Sequence, residues 1–150
     1  MLFHLYSRHD AAASDYRQIV ADLKDDNTLK NWFNSLAEFR QELANELRPL
    51  VEDNGSIPVK PSKEMRSYLH DRSDDIIEFI NKENEVGLLE LSLEAEESVG
   101  KYYQKIEANK DIPLEIREKL EKQHDRLLEV IEKAQRLQTV PEQDRSDFVV

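Results

Sequence analysis

Apolar residues recur every three or four positions along four long stretches of this chain, and this spacing limits the folds it can adopt. That period places one apolar stripe on a helix, whereas a strand alternates at every second residue. Three glycines and five prolines in 150 residues are too few for a turn-rich β protein. Charged residues form 35% of the chain, as is typical of long surface helices. We therefore predict an all-α fold.

The stripes and their flanking cap residues predict four long helices. Their predicted bounds are Leu2–Leu23, Thr28–Val51, Asn84–Asn109 and Asp111–Gln138, the last with Asp111 as its cap and Pro113 in its first turn. A proline-containing linker at residues 54–62 leads into a shorter crossover helix predicted from Ser62 to Asn81. Short connections make each pair of long helices an antiparallel hairpin. The prediction is one antiparallel four-helix bundle over residues 1–138, followed by a flexible C-terminal tail at residues 139–150.

Charge and composition exclude several classes of protein. The formal net charge is −11 and the sequence pI is about 4.8, and the chain has no basic cluster with which to bind nucleic acid or an anionic membrane. It has no cysteine, hence no disulfide or thiol nucleophile. The first residues lack the pattern of a secretory signal, and no apolar run approaches the roughly 18 residues of a membrane span. We expect a cytoplasmic protein.

Several short motifs occur in a particular order along the chain. They are Ala37-Glu-Phe-Arg40 and Glu46-Leu47, Asn54-Gly55 in the linker, Ala95-Glu96 followed by Tyr103, Ile112-Pro113, and Gln123. In this order and spacing they resemble the bacterial ferritin-like four-helix-bundle family that is described as a domain of unknown function. The resemblance implies the ferritin-like fold and a stress-related bacterial setting. It implies no activity, because the family has no settled one.

A metal site is the obvious question for a ferritin-like bundle. Ferritin-like di-iron proteins hold their metals with one Glu from each of two helices and a Glu-x-x-His motif from each of the other two. This chain contains one such string, Glu121-Lys-Gln-His124. At about 100° per residue, Glu121 lies roughly 130° from the centre of its helix's apolar stripe and His124 about 70° from it. Glu121 is therefore predicted to point into water.

Other polar residues are predicted to point into the bundle or to lie at the edges of the stripes. These residues form the predicted buried polar cluster: His9, Tyr16, Arg40, Glu96, Tyr103 and Gln123. Because an inward guanidinium repels divalent cations and needs acceptors, we predict that Arg40 pairs with Glu96. Gln123, Tyr16 or His9 would satisfy the remaining donors. Such a cluster more often determines the register of packed helices than catalyses a reaction.

Three functions remain open at this point. The first is a non-catalytic bundle, without cofactor or catalytic residues, that acts as a homodimer or with a protein partner. The second is a metal-binding protein with an oxidase or iron-handling role, holding iron or manganese through His9, Glu96, Glu121 and His124. The third is a small-ligand carrier with a pocket lined by Tyr16, Tyr102 and Arg40. We favour the first, because inward carboxylate ligands for a metal are missing and Arg40 points inward instead. The sequence also contains no glycine-rich phosphate loop and no exposed nucleophile.

Overall fold

The computed structural model describes residues 1–53 and 65–150, and every regular element within them is helical. The prediction of an all-α fold is confirmed. The α-helices are α1 (Leu2–Asp22), α2 (Lys30–Asp53), α3 (Ser73–Asn81), α4 (Glu85–Glu107) and α5 (Leu114–Leu137). Two short 3₁₀ helices cover His70–Arg72 and Glu142–Asp147. The linker predicted at 54–62, and with it the predicted helix start at Ser62, lies outside the described residues.

The four long helices pack around one apolar core in a helical bundle. Contacts show that α1 runs opposite to α2 and that α4 runs opposite to α5, whereas α2 and α4 run in the same direction. The pairs that show this are Tyr6–Arg48 and Tyr16–Phe33 for α1 and α2, Tyr103–Gln123 and Gly100–Leu127 for α4 and α5, and Trp32–Ser92 and Arg40–Glu96 for α2 and α4. Helices α1 and α2 thus form one hairpin and α4 and α5 a second, and the connection that contains α3 joins the two hairpins.

Two helices start later than the sequence predicted. α2 begins at Lys30, because the Asn27 side chain and carbonyl accept bonds from the next turn and hold the residues before Lys30 outside the helix. α5 begins at Leu114 with Pro113 in the cap position, so the prediction that Asp111 caps this helix is wrong. A proline cannot donate a hydrogen bond, which makes it suitable where the first amides of a helix are unpaired.

The corner between α3 and α4 is tightly built. Glu83 adopts the left-handed conformation, with φ of 54°, and the Asn84 side chain accepts a hydrogen bond from Gly87 N at 2.9 Å, capping α4. A Cβ atom at Gly87 would lie 2.8 Å from the Phe79 ring. The close approach of α3 to the first turn of α4 therefore requires glycine there.

The crossover helix is shorter than predicted. The prediction of one helix from Ser62 to Asn81 is wrong over residues 65–72, where the chain forms turns and a 3₁₀ helix before α3 begins. Leu69 is buried in the core, and the Ser67 hydroxyl donates to the Asp15 carboxylate of α1. These contacts with the bundle hold the segment out of the helical conformation, as tertiary packing commonly does with local propensity.

Apolar side chains from all four long helices fill the core. The largest fully buried ones include Leu5, Tyr16, Ile19, Trp32, Phe33, Leu36, Leu43, Leu47, Leu88 and Tyr103. No helix in the described part of the chain has the length and apolar character needed to cross a membrane.

The segment at residues 139–150, predicted to be a flexible tail, contains the second 3₁₀ helix and lies against the bundle. The Phe148 ring meets the Trp32 ring edge-on, with 6.5 Å between the ring centroids. Its flexibility in solution stays a prediction.

Candidate functional site

The structure brings the six residues of the buried polar cluster together in the middle of the bundle. His9 and Tyr16 come from α1, Arg40 from α2, Glu96 and Tyr103 from α4, and Gln123 from α5. Each of these six residues is at most 4% exposed. Buried polar groups are stable only when their hydrogen bonds are made within the protein, so the geometry of each contact matters.

Arg40 is the centre of the cluster. Its Nη1 donates to Glu96 Oε2 at 2.9 Å, and its Nε donates to His9 Nδ1 at 2.9 Å. The Tyr16 hydroxyl donates to the same Glu96 oxygen at 2.7 Å. The two opposite charges therefore neutralise each other in a region that excludes water, and a neutral donor supports the carboxylate.

His9 has a defined tautomer in this arrangement. Because Nδ1 accepts from Arg40, the ring proton must be on Nε2, which lies 2.7 Å from the Tyr103 hydroxyl and donates to it. The Tyr103 hydroxyl in turn donates to Gln123 Oε1 at 2.7 Å. Burial, and then the positive charge of Arg40, hold the pKa of His9 well below its usual value, in agreement with a neutral ring.

Gln123 connects the cluster to the surface. Its Nε2 donates to the Leu43 carbonyl at 3.2 Å and to Glu46 Oε1 at 3.0 Å, which determines the orientation of the amide. Arg126 donates to both oxygens of Glu46 and to Glu42. Gln123, Glu46 and Arg126 border a groove of about 410 Å³ between α2 and α5.

The sequence interpretation missed this outer part of the network. Glu46 entered it only as part of a family motif, and Arg126 not at all. A signal was present: Arg126 follows Gln123 by three residues, and Glu42 and Glu46 are four apart, so each pair shares a helix face.

Opposing effects act on the carboxyl group of Glu96. Burial raises the pKa of its carboxyl group, while the Arg40 charge and the bond from Tyr16 act in the opposite direction. Its second oxygen, Oε1, has no hydrogen-bond partner among the described residues. Burial also raises the pKa of the Tyr16 and Tyr103 hydroxyls, so both phenols stay protonated and serve as donors.

The residues of the metal alternative are not brought together. Glu121 is exposed, and His124 Nδ1 lies 2.8 Å from Glu107 Oε1 while its ring stacks on Tyr103. Both nitrogens of His9 are already engaged, whereas Glu96 Oε1 and His124 Nε2 are buried without a hydrogen-bond partner among the described residues. Over residues 1–53 and 65–150, no group of three or more His, Asp or Glu side chains is arranged to hold a metal ion. These residues do not fit a di-iron centre.

Tyr102 lies away from Arg40 and Tyr16. Its hydroxyl lies 3.4 Å from the Met1 carbonyl, and the Arg8 guanidinium covers its ring. The Tyr16 hydroxyl and the Arg40 guanidinium both face Glu96 instead. The three residues predicted to line a ligand pocket therefore do not present their polar groups to a common space.

Comparison with known proteins adds no relative from which a function could be transferred. No family model, curated protein or solved structure matches the chain. The function has to be inferred from the geometry described above.

Proposed function

We propose that this protein is a ferritin-like antiparallel four-helix bundle that acts by associating with a second copy or with a protein partner, and that its interior is structural. Two hairpins joined by one long crossover connection are the layout of ferritin-like folds. The helix directions and the position of α3 support this fold. The family resemblance adds a stress-related bacterial setting to the proposal.

The observation that carries the proposal is the Arg40–Glu96 pair, with 2.9 Å between Nη1 and Oε2 and almost no exposure of either side chain. In a metal-handling ferritin-like protein the middle of the bundle holds carboxylates and histidines that converge on ions. Here a permanent cation occupies that region and uses the carboxylate and the histidine as its own acceptors. A bundle with such an interior acts through its surface.

Metal analysis is the first test of this proposal. The purified protein is incubated with Fe²⁺, Mn²⁺ or Zn²⁺, desalted, and its metal content measured by mass spectrometry. We expect far less than one ion per chain and no change in melting temperature, because bound metal would stabilise the folded state. Stoichiometric metal that is lost on Glu96→Gln but kept on Glu121→Gln, which changes the exposed carboxylate of the Glu121–His124 string, would refute the proposal that the interior is structural.

Light scattering across a range of protein concentrations tests the association itself. We expect the mass to rise toward that of a dimer as concentration increases. If the mass stays at that of a single chain, the same protein immobilised as bait still tests for a protein partner, with the unfolded chain as control. Absence of both self-association and a saturable partner would contradict the proposal.

One observation favours the metal-binding alternative, namely the unpaired Oε1 atom of buried Glu96. A buried carboxylate oxygen without a donor is unusual, and a cation or a water molecule could satisfy it. The Glu96→Gln comparison above distinguishes the two: loss of bound metal supports the alternative, whereas a metal-free protein in both forms supports the structural interior.

A further inference from the structure

We propose that the face of α2 formed by Asn31, Trp32 and Ser35 is a binding site for residues 139–150 of a second copy, so that two chains exchange these segments. We call residues 139–150 the C-terminal segment. This inference rests on the proposed function and names both the surface and the partner through which the protein associates.

The contacts of the C-terminal segment resemble those of a bound peptide. Asn31 Nδ2 donates to the Ser146 carbonyl at 2.8 Å, and Val150 N donates to Ser35 Oγ at 2.9 Å. Between these two bonds the Phe148 ring packs edge-on against Trp32. Side chains of α2 thus bind two backbone groups of the segment, with an aromatic contact between them, as in a site that binds a short peptide.

Charge complementarity orients the C-terminal segment. Arg145 Nη1 donates to Glu85 Oε2 in the first turn of α4, and their side chains are only 12% and 14% exposed. Glu85 Oε1 also accepts a hydrogen bond from the Thr28 hydroxyl, which fixes the orientation of the carboxylate toward Arg145. The segment otherwise carries the acidic residues Glu142, Asp144 and Asp147, so its single basic residue, Arg145, determines which part of the segment meets Glu85.

The C-terminal segment covers the bundle from outside: Val140, Phe148 and Val150 are only partly buried against the core, and the segment is no part of the four long helices. It is joined to α5 only through the turn at residues 138–141, in which Pro141 is extended with φ of −57° and ψ of 146°. Every contact formed within one chain can be formed equally with the identical segment of another chain. Reciprocal exchange therefore yields a symmetric dimer in which both α2 faces stay covered.

A charge-exchange experiment tests whether the segment binds a second copy. Arg145→Glu and Glu85→Arg each place like charges together, both within a chain and in dimers of one variant. We expect each variant alone to be a single chain whose one tryptophan, Trp32, emits at longer wavelength. In an equimolar mixture the new acid of one variant meets the new base of the other, so the mass should double and the emission should return toward that of the original protein.

Three outcomes would overturn the exchange. If the mixture shows only the mass and the emission of its two separate components, the segment binds only its own chain. If a chain ending at Val140 dimerises as the full chain does, association uses another surface and the proposed function stands without this inference. If the full chain is a single chain at every concentration, self-association itself fails, and the inference fails with it.

A peptide experiment covers the case in which a charge variant fails to fold, which circular dichroism would reveal. The chain ending at Val140 is titrated with a peptide of residues 141–150. We expect saturable binding with a shift of Trp32 emission to shorter wavelength, and at least tenfold weaker binding of the peptide with Phe148→Ala. Equal binding of the two peptides would show that Phe148 does not anchor the segment and would contradict the proposed site.

Discussion

Arg40 and Glu96 show what a buried charge pair requires. Removing two charges from water costs several kcal/mol per ion, and their attraction offsets this only when further hydrogen bonds complete the shell. Tyr16 supplies such a bond to Glu96, and His9 supplies an acceptor to Arg40. The pair is thus a source of register and specificity more than of net stability.

Breaking the pair should be costly, whereas replacing both partners should not. We expect Glu96→Leu or Arg40→Met alone to lower the free energy of unfolding by about 3–5 kcal/mol, since each leaves an uncompensated buried charge. The double variant should recover most of that loss. Urea unfolding measures all three, with Lys82→Ala in the exposed Glu78–Lys82 pair as a control that changes little. Additive losses in the double variant would contradict this.

The neutral His9 makes stability depend on pH. Its pKa in the folded protein is lowered well below the usual 6.5, so below that pH the unfolded chain binds a proton that the folded chain does not. Stability is therefore full above pH 6.5 and falls at lower pH, by about 1.4 kcal/mol per pH unit. The raised pKa of Glu96 acts in the opposite direction, and only once the pH nears that pKa.

Unfolding curves between about pH 7.5 and about pH 5.5 test this expectation. His9→Gln keeps an acceptor for Arg40 and a donor for Tyr103 but cannot be protonated, so its stability should vary less with pH than that of the original protein. The exposed His70→Gln serves as the matched control. Identical pH dependence in the original protein and His9→Gln would show that another group titrates.

The packing of neighbouring helices determines whether a buried glycine in α4 has room for a larger side chain. α4 carries two buried glycines in different surroundings: a Cβ atom at Gly87 would lie 2.8 Å from the Phe79 ring, whereas at Gly100 the nearest atom is 3.6 Å away. The first marks the crossing of α3 over α4, and the second is an ordinary helix position facing α5.

Alanine at these two positions should have opposite effects. Gly100→Ala should raise the free energy of unfolding by about 0.5–1 kcal/mol, because alanine loses less conformational entropy in a helix. Gly87→Ala should lower it by about 1–3 kcal/mol through overpacking against Phe79. Thermal or urea unfolding of the two variants measures the contrast. If both stabilise the protein, α3 does not press on α4 as described.

At the scale of the whole molecule, net charge opposes association. Two copies at −11 each repel over distances comparable to the screening length, which is about 8 Å at physiological ionic strength. A dimer must overcome this repulsion by local complementarity, such as that between Arg145 and Glu85.

We expect the dimer to become tighter as salt rises from low to physiological concentration, because screening weakens the general repulsion more than the shielded Arg145–Glu85 pair. Sedimentation equilibrium at several NaCl concentrations measures the dissociation constant. The charge variant Lys105→Glu, at an exposed position near the opposite end of α4 from Glu85, should weaken the dimer most at low salt. A dimer that weakens steadily with salt would instead be held by exposed ion pairs.

Helical periodicity was enough to predict the helices and the inward direction of Arg40, because this period depends on local geometry alone. It also placed His9, Glu96 and Gln123 on sides of their helices that could meet. It misjudged residues 65–72, where long-range contacts of Leu69 and Ser67 override local propensity, and it left unspecified which donor serves which acceptor.

Three contacts follow from the packing of the helices and not from the periodicity: Arg40 binds both Glu96 and His9, Glu46 and Arg126 extend the cluster to the surface, and the C-terminal segment lies on Trp32. This is because hydrogen bonds across the bundle depend on distances between residues up to 115 positions apart in sequence. A helical period describes the face on which a side chain lies. The partner of that side chain depends on how the helices pack.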